Sequence, residues 1–277
     1  MELYHIRVKN TMERRVVFLL VTPPWVWYTT VVINLPQRSV PAMKIAGLQK
    51  MTLLDYPGKV ACTVFLPGCN FRCPFCHNGE LLDGHAPTLM EDTELLVFLK
   101  TRRGILDAVC ISGGEPTLHP GLEDLLRSIK DLGFLTKLDT NGSHPDLLKH
   151  LVGSGLLDYV AMDIKNSPAR YAETAGLDTM DLSAIEESIR FLLTEGIDYE
   201  FRTTVVSQLH DETSIREMGE WIHSLGGAVK AKRFFLQPFT DRDTVLFSGL
   251  SAPSGEMLNR YIVHLKLIAE MAEIRGQ

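Results

Sequence analysis

The sequence predicts an α/β fold in which helices cover a parallel sheet. Six short apolar runs alternate with segments whose apolar residues recur three and four positions apart, patterns typical of buried strands and amphipathic helices. The strand-like runs are "KVACTVFLP" (59–67), "LDAVCISGG" (106–114), "GFLTKLDTNG" (133–142), "DYVAMDIK" (158–165), "DYEFRTTVV" (198–206) and "RFFLQPF" (233–239). Repeated alternation of strand and helix favours a parallel sheet. Periodicity alone does not distinguish an open barrel from a doubly wound sheet.

The helical segments lie between these runs. Thr88 and Glu91 predict a capping box for the first helix, which continues through Leu95 and Leu99. The other apolar stripes are Leu122, Leu125, Leu126 and Ile129; Leu147, Leu148, Leu151 and Val152; Ile185, Ile189, Leu192 and Leu193; and Ile215, Met218, Trp221, Ile222 and Leu225. No repeat, low-complexity tract or linker divides 43–277, so this range is predicted to be one domain.

The N-terminal residues differ from the rest of the chain. The run "RRVVFLLVTPPWVWYTTVVINL" (14–35) is apolar enough to suggest a signal peptide or membrane anchor. Pro23 and Pro24 interrupt it, and Met43 opens a stretch that already resembles the start of a domain. We therefore predict that 1–42 are a poorly ordered N-terminal extension rather than an anchor.

Charge and cysteine content limit the classes of function. The net charge is −6, so neither nucleic acid nor a membrane is the expected partner. Three of the five cysteines cluster in "GCNFRCPFCHN" (68–78), which favours metal or redox chemistry in a reducing compartment, the cytoplasm. Cys62 and Cys110 lie inside apolar runs and are predicted to pack in the core.

Two kinds of site could use three thiols on one loop. A zinc site would need His77 as the fourth ligand, but neighbouring residues seldom both reach one metal, and zinc ligands usually come in two separated pairs. A 4Fe–4S cluster held by Cys69, Cys73 and Cys76 would leave one iron open for a further ligand. The spacing favours the cluster.

Three further motifs end the following predicted strands. They are "GGEP" (113–116), "DTNG" (139–142) and "DIK" (163–165). Because the carboxyl ends of parallel strands share one edge of a sheet, these motifs and the cysteine loop are expected to form one site.

The cysteine loop resembles the signature of the radical S-adenosylmethionine (SAM) superfamily, with Phe75 as the aromatic residue before the last cysteine. Together with "TLLDYPGKV" (52–60), all of 43–277 is similar to the anaerobic ribonucleoside-triphosphate reductase activating proteins, a family of glycyl-radical-enzyme activases. The resemblance implies a partial (β/α)6 barrel, a 4Fe–4S cluster on Cys69, Cys73 and Cys76, and SAM as the second cofactor. It does not cover 1–42.

The resemblance also implies which residues hold SAM. The backbone of Gly113 and Gly114, with Glu115, would meet the methionyl amino group. The other implied contacts are Lys165 to the carboxylate, Arg202 to the carboxylate or the ribose, and Phe75 and Gln237 to the adenine. Arg202 is also a candidate because a charged residue within an apolar strand is costly in free energy to bury unless it has a partner.

In the same family, Asp139, Thr140 and Asp163 can line a monovalent-cation site beside SAM. The alternative interpretation of "DTNG" is an ordinary Asn-Gly turn at a strand end. His77, Asn78 and His119 are interpreted as loop-polar or capping residues and receive no catalytic role.

The implied activity is transfer of one electron to SAM, formation of a 5′-deoxyadenosyl radical, and hydrogen abstraction from a glycine Cα of a partner enzyme. The expected partners are anaerobic ribonucleotide reductase and a flavodoxin- or ferredoxin-type electron donor. Two alternatives are a radical SAM enzyme acting on a small molecule, for instance in modified-base biosynthesis, and a zinc-binding adaptor. No hydrolase or kinase motif is present in the sequence.

Overall fold

The computed structural model describes the backbone of residues 15–20 and 29–34 and all atoms of residues 42–276. The chain divides between Pro41 and Ala42 into two units. In the first, β1 (Arg15–Leu20) and β2 (Thr29–Asn34) pair antiparallel. The remaining residues of the predicted extension lie outside the described residues, and its poor order stays a prediction. Within the described part of the chain, no helix has the length and apolar character needed to cross a bilayer.

The second unit contains the elements of the α/β domain. In chain order they are β3 (Lys44–Ile45), β4 (Gly47–Thr52), β5 (Ala61–Leu66), β6 (Met90–Glu91), α1 (Asp92–Lys100), β7 (Ala108–Gly113), α2 (Leu122–Asp131), β8 (Leu135–Thr140), α3 (Pro145–Gly153), β9 (Tyr159–Asp163), α4 (Tyr171–Ala175), α5 (Ser183–Thr194), β10 (Asp198–Val205), α6 (Glu212–Gly226), β11 (Ala231–Pro238), α7 (Gly255–Lys266) and β12 (Ala269–Ile274). All six predicted strands and all five predicted helices are present.

One eight-stranded sheet forms the centre of the domain, in the order β12-β11-β10-β9-β8-β7-β5-β4. Every neighbouring pair is parallel except β4 and β5, which are antiparallel. The predicted α/β class is therefore confirmed, and the sheet is an open barrel with β4 and β12 at its edges. The sequence analysis predicted neither of the edge strands, β4 and β12.

The cap of α1 differs from the prediction. The helix begins at Asp92 with Glu91 as the N-cap residue, and the Glu91 N–H donates to the Glu94 side chain at 2.9 Å. Thr88 lies outside the helix because β6, which includes Glu91, pairs with β3 and fixes where the helix starts. The capping-box prediction was wrong in register by three residues.

The two faces of the sheet are filled differently. The outer face packs against the helices through large aliphatic side chains, such as Val64, Ile111 and Leu138, all fully buried. The inner face carries a small apolar cluster of Tyr56, Ala61, Ala108, Cys110 and Tyr159. Above this cluster the inner face is polar, and it opens at the carboxyl ends of the strands. The predicted motifs all follow those ends.

Candidate cofactor site

One cavity of about 230 Å³ lies at the carboxyl rim of the barrel. Twelve of the thirteen predicted site residues line it: Cys69, Cys73, Phe75, Cys76, Gly113, Gly114, Asp139, Thr140, Asp163, Lys165, Arg202 and Gln237. These residues come from the loops after β5, β7 and β9 and from the carboxyl-terminal parts of β7 to β11. The separate motifs lie around one cavity, as expected, and Glu115 is the one predicted site residue that does not line it.

The cysteine loop is fixed by its backbone. Gly68 N–H donates to the Leu81 carbonyl at 2.6 Å, and Cys69 N–H donates to the Leu82 carbonyl at 3.1 Å. Phe71 N–H donates to Cys69 Sγ at 3.4 Å, so one sulfur already accepts a hydrogen bond. All three thiols are free, and the loop holds them at the cavity wall.

The surroundings of the thiols set their protonation. Burial raises the pKa of Cys69 and Cys76, and it raises the pKa of Cys73 to about 11. The positive charge of Lys165 acts in the opposite direction on all three. The thiols are therefore protonated at neutral pH until a metal displaces the protons, and Lys165 is placed to stabilise the resulting negative charge.

The donor set fits a cluster better than a single ion. Among residues 42–276, no three His, Cys, Asp or Glu side chains are arranged to hold one metal ion. The thiolates that ligate a cubane each bind a different iron, so they surround a volume instead of converging on a point. Three free thiols around an open cavity meet that requirement.

His77, Asn78 and His119 hold loops together. His77 Nε2 lies 2.7 Å from the Thr240 carbonyl oxygen, and its ring stacks on Phe239. Asn78 Nδ2 donates to the Gly113 carbonyl at 2.9 Å. His119 Nε2 lies 2.7 Å from the Pro67 carbonyl oxygen. Each contact joins separate segments of the site, and His77 and Asn78 also line the cavity.

Two glycines let the β7 loop approach the cysteine loop. Gly113 has φ +114°, a conformation that side chains disfavour. A Cβ atom on Gly114 would lie 2.0 Å from the Gly68 carbonyl oxygen, which is closer than atoms can approach. The absence of side chains at this turn therefore lets its backbone pack directly against that of Leu66 and Gly68, and both glycines line the cavity.

Glu115 does not line the cavity, contrary to its predicted role as a cofactor contact. Its side chain is fully buried and accepts hydrogen bonds from Thr117 N–H at 3.0 Å and from Asn141 N–H at 2.6 Å. The hydroxyls of Thr117 and Thr140 donate to the same carboxylate at 2.5 and 2.8 Å. The protein itself occupies the acceptor positions of this carboxylate.

The predicted cation-site residues belong to a chain of ion pairs. We call the set Lys137, Asp139, Arg202, Asp163 and Lys165 the ion-pair chain. Lys137 Nζ donates to Asp139, and Arg202 lies 3.4 Å from Asp139 and 3.0 Å from Asp163. Lys165 Nζ donates to the other oxygen of Asp163 at 3.2 Å. Three cationic side chains thus face two carboxylates.

These pairings determine the charges at the site. Burial raises the pKa of Asp163, but Lys165 and Arg202 outweigh it and lower that pKa to about 2. Asp139 follows the same pattern, with Arg202 and Lys137 keeping its pKa below the ordinary value. Thr140 donates its hydroxyl to Glu115. A monovalent cation would have to displace existing partners, so the structure gives the predicted cation site no support.

The sequence interpretation missed Lys137. Its side chain is 1% exposed, on the inner face of β8. The signal was available, because a lysine in the strand "LTKLDT" needs a buried partner for the same reason as Arg202. Ser112, Asn141 and Thr204 also line the cavity without having been predicted. Cys62 and Cys110 are fully buried in β5 and β7, as predicted for core residues.

Comparison with known proteins gives a consistent picture. The family model of the radical SAM superfamily matches residues 63–222. A putative glycyl-radical enzyme activating enzyme of Methanocaldococcus jannaschii is 34% identical over 184 residues, covering 64% of this chain and 75% of that protein. A probable GTP 3′,8-cyclase of Thermococcus kodakarensis is 30% identical over 174 residues, covering 55% of this chain and 56% of that protein.

A solved structure is similar in fold. The crystal structure of a domain of pyruvate-formate lyase-activating enzyme from Bacteroides vulgatus superimposes with a TM-score of 0.50 at 22% identity. The match covers 61% of this chain and 99% of that domain. At this level of identity the similarity concerns the fold alone.

Proposed function

The chain belongs to the radical SAM superfamily, and from that premise we propose that it is an activase that installs a glycyl radical on a partner enzyme. The observation that carries the proposal is the meeting of Cys69, Cys73 and Cys76 with the Gly113–Gly114 turn in one cavity. The similarity to a putative glycyl-radical enzyme activating enzyme supports the choice of reaction. The partner we propose is anaerobic ribonucleoside-triphosphate reductase.

In this proposal Cys69, Cys73 and Cys76 hold the 4Fe–4S cluster of the superfamily. When bound, the cluster supplies one electron for cleavage of SAM to methionine and the 5′-deoxyadenosyl radical that takes a hydrogen atom from glycine Cα. Lys165 offsets the negative charge of the thiolates, whose pKa values it lowers. The Phe71 N–H stabilises the Cys69 sulfur in the same way.

The residues around the thiols suit the charged groups of SAM. Gly113 and Gly114 line the cavity, and their carbonyl oxygens, of which that of Gly113 also accepts a bond from Asn78, suit an ammonium group. Lys165 and Arg202 offer positive charge to a carboxylate, and both line the cavity. Gln237 and the backbone at Phe75 are our candidates for the adenine.

Part of the cavity wall is apolar. Phe71, Phe75 and Leu82 line it, and each of them is buried. Apolar groups beside the thiols would help to protect a reactive radical from side reactions. Because the cavity lies at the carboxyl rim, we propose that the substrate glycine enters from that side.

The test is anaerobic reconstitution followed by assay with the partner. We expect about four iron atoms per chain, because a cubane holds four. Addition of SAM, a reductant and the reductase should give a glycine-centred signal in electron paramagnetic resonance. Cys73→Ala is the matched control and should give no signal. Stoichiometric zinc in place of iron would contradict the proposal and favour the adaptor alternative.

A second candidate function is supported by the similarity to a probable GTP 3′,8-cyclase. In that case the chain would be a radical SAM enzyme acting on a small molecule. Production of 5′-deoxyadenosine without a glycyl radical on the reductase, or on a peptide from a glycyl-radical loop, would favour this alternative. We propose a flavodoxin- or ferredoxin-type protein as the electron donor. Reduced flavodoxin should then replace the chemical reductant in the assay.

A further inference from the structure

Six polar side chains from three loops form one hydrogen-bonded ring beside the cavity. They are Asn70 of the cysteine loop, Glu115 and Thr117 after β7, and Asn141, Ser143 and His144 after β8. We call this set the loop ring. The residues come from separate parts of the sequence, and hydrogen bonds across this spacing hold the three loops to one another.

One backbone group fixes the direction of the bonds at Asn70. Ser143 N–H donates to Asn141 Oδ1 at 3.0 Å, so the amide of Asn141 has only its nitrogen left to donate. Asn141 Nδ2 donates to Asn70 Oδ1 at 2.8 Å. Asn70 Nδ2 then donates to Ser143 Oγ at 2.9 Å. Both groups of the Asn70 amide are therefore used to join the cysteine loop to the β8 loop.

The other half of the loop ring leads to Glu115. His144 Nδ1 lies 3.0 Å from Ser143 Oγ and 3.1 Å from Thr117 Oγ1. Thr117 Oγ1 donates to Glu115 Oε1 at 2.5 Å, and Asn141 N–H donates to Glu115 Oε2 at 2.6 Å, which closes the ring. Hydrogen bonds to a buried carboxylate are among the stronger ones in proteins. Glu115 is thus the anchor of the ring.

Asn141 is the one member of the loop ring that lines the cavity; the other five members lie outside its lining. Asn70 and Glu115 are among those five, but the residues before them in the sequence, Cys69 and Gly114, line the cavity. Glu115 N–H also donates to the Gly68 carbonyl at 2.8 Å, next to Cys69. Asn70 and Glu115 can therefore affect the residues that line the cavity indirectly, through the backbone.

We propose that Asn70 and Glu115 are positioning residues, which hold the thiols in a fixed place relative to the Gly113–Gly114 turn. The inference rests on the proposed function, because it concerns the cluster held by one loop and the SAM held by the other. It replaces the expectation that Glu115 contacts SAM. Loss of the ring should loosen the geometry between the two ligands without removing a contact to either.

The experiment compares reconstituted Asn70→Ala with the wild-type chain. Asn70 is exposed, so the substitution leaves the core intact. We expect SAM to bind about fivefold more weakly, because the substitution removes two hydrogen bonds and only part of their free energy is transmitted to the SAM site. The electron paramagnetic resonance spectrum of the reduced cluster should broaden when SAM is added. Asn259→Ala, at an exposed position of α7, is the matched control and should change neither quantity.

Two further variants separate positioning from direct contact. Ser143→Ala removes the bond from Asn70 and the contact to His144 within the same ring, so its effect on SAM binding should be less than additive with that of Asn70→Ala in the double variant. Thr117→Val should also weaken SAM binding if Glu115 acts through the ring. Wild-type affinity in both Asn70→Ala and Thr117→Val would overturn the inference, as would additive losses in the double variant. Absence of iron from the reconstituted wild-type chain would instead contradict the proposed function.

Discussion

Arg275 neutralises a carboxylate that is otherwise enclosed by the barrel. Its Nη1 and Nη2 donate to the two oxygens of Glu200 at 2.8 and 2.9 Å. The Glu200 side chain is 1% exposed and the Arg275 side chain 33%. The only other described donor to this carboxylate is the Tyr159 hydroxyl, at 2.9 Å. Replacement of Arg275 by methionine keeps an aliphatic stem beside Phe235, whose ring centre lies 3.6 Å from the guanidinium carbon.

We expect Arg275→Met to lower the free energy of unfolding by about 3 kcal/mol at pH 7. This is the lower end of the range for removing one partner of a buried ion pair, chosen because a third of Arg275 is exposed. The measurement is urea denaturation followed by circular dichroism. Arg216→Met is the control: its partner Glu220 is 62% exposed, so the loss should stay below about 0.5 kcal/mol.

The pH dependence identifies the cause. Burial raises the pKa of Glu200, but Arg275, Arg202 and Lys137 outweigh it, so the pKa lies below the ordinary value. A lowered pKa contributes stability that is present above about pH 4.3 and is lost as the pH falls. Without Arg275 the carboxylate can take up a proton, so the difference between variant and wild type should shrink towards pH 4. A loss below 1 kcal/mol at pH 7, or one independent of pH, would refute the reasoning. Glu200→Gln added to Arg275→Met should recover part of the loss.

Four further outcomes are expected. Iron binding should be abolished in each of Cys69→Ala, Cys73→Ala and Cys76→Ala. It should be retained in Cys62→Ala and Cys110→Ala, which change residues inside strands. Iron analysis is the measurement, and loss of iron from Cys110→Ala would contradict the ligand assignment. Because burial raises the pKa of Cys69, Cys73 and Cys76, cluster assembly must release protons and should be faster at pH 8.5 than at pH 7 when followed by absorbance. Since the carboxylates of Asp139 and Asp163 already have cationic partners, SAM affinity should be equal in potassium and in a bulky organic cation at constant ionic strength; a tenfold preference for potassium would restore the cation site. Gly114→Ala should weaken SAM binding at least tenfold by pushing the turn away from Gly68. Gly196→Ala, which has no atom within 4 Å of the added Cβ and no positive φ, is the control for an altered loop glycine.

The strands that carry the site could be predicted because their signals are local. Each is an apolar run of β-branched residues bounded by a turn, and the motifs follow directly. The edge strand β12 could not be predicted this way. Its residues, "AEMAEI", favour helices by propensity, and only pairing with β11 makes them a strand. The choice between a flat sheet and a barrel likewise depends on contacts between distant strands.

The site residues show the same difference between local sequence signals and contacts made only by the fold. The positions of the three cysteines and the glycine pair followed from spacing and strand ends. The role of Glu115 did not, because its four donors come from Thr117, Thr140 and Asn141, residues brought together by the fold. The cation site remains a prediction, and the sequence could not show what competes with it. A sequence displays two aspartates, but Lys137 and Arg202, which neutralise them, are adjacent only in the barrel.

The pairing of Glu200 with Arg275 also has a consequence for synthesis. The two residues are separated by 75 positions, so the carboxylate leaves the ribosome long before its partner is made. At the usual rates of elongation, roughly 4 to 15 seconds pass between synthesis of Glu200 and synthesis of Arg275. During that interval Lys137 and Arg202 act on the carboxylate, but the barrel cannot close around Glu200 without enclosing it short of its bidentate partner. Completion of the interior is therefore delayed until β12 has been translated, and messages truncated before codon 275 would yield chains that remain open to proteolysis.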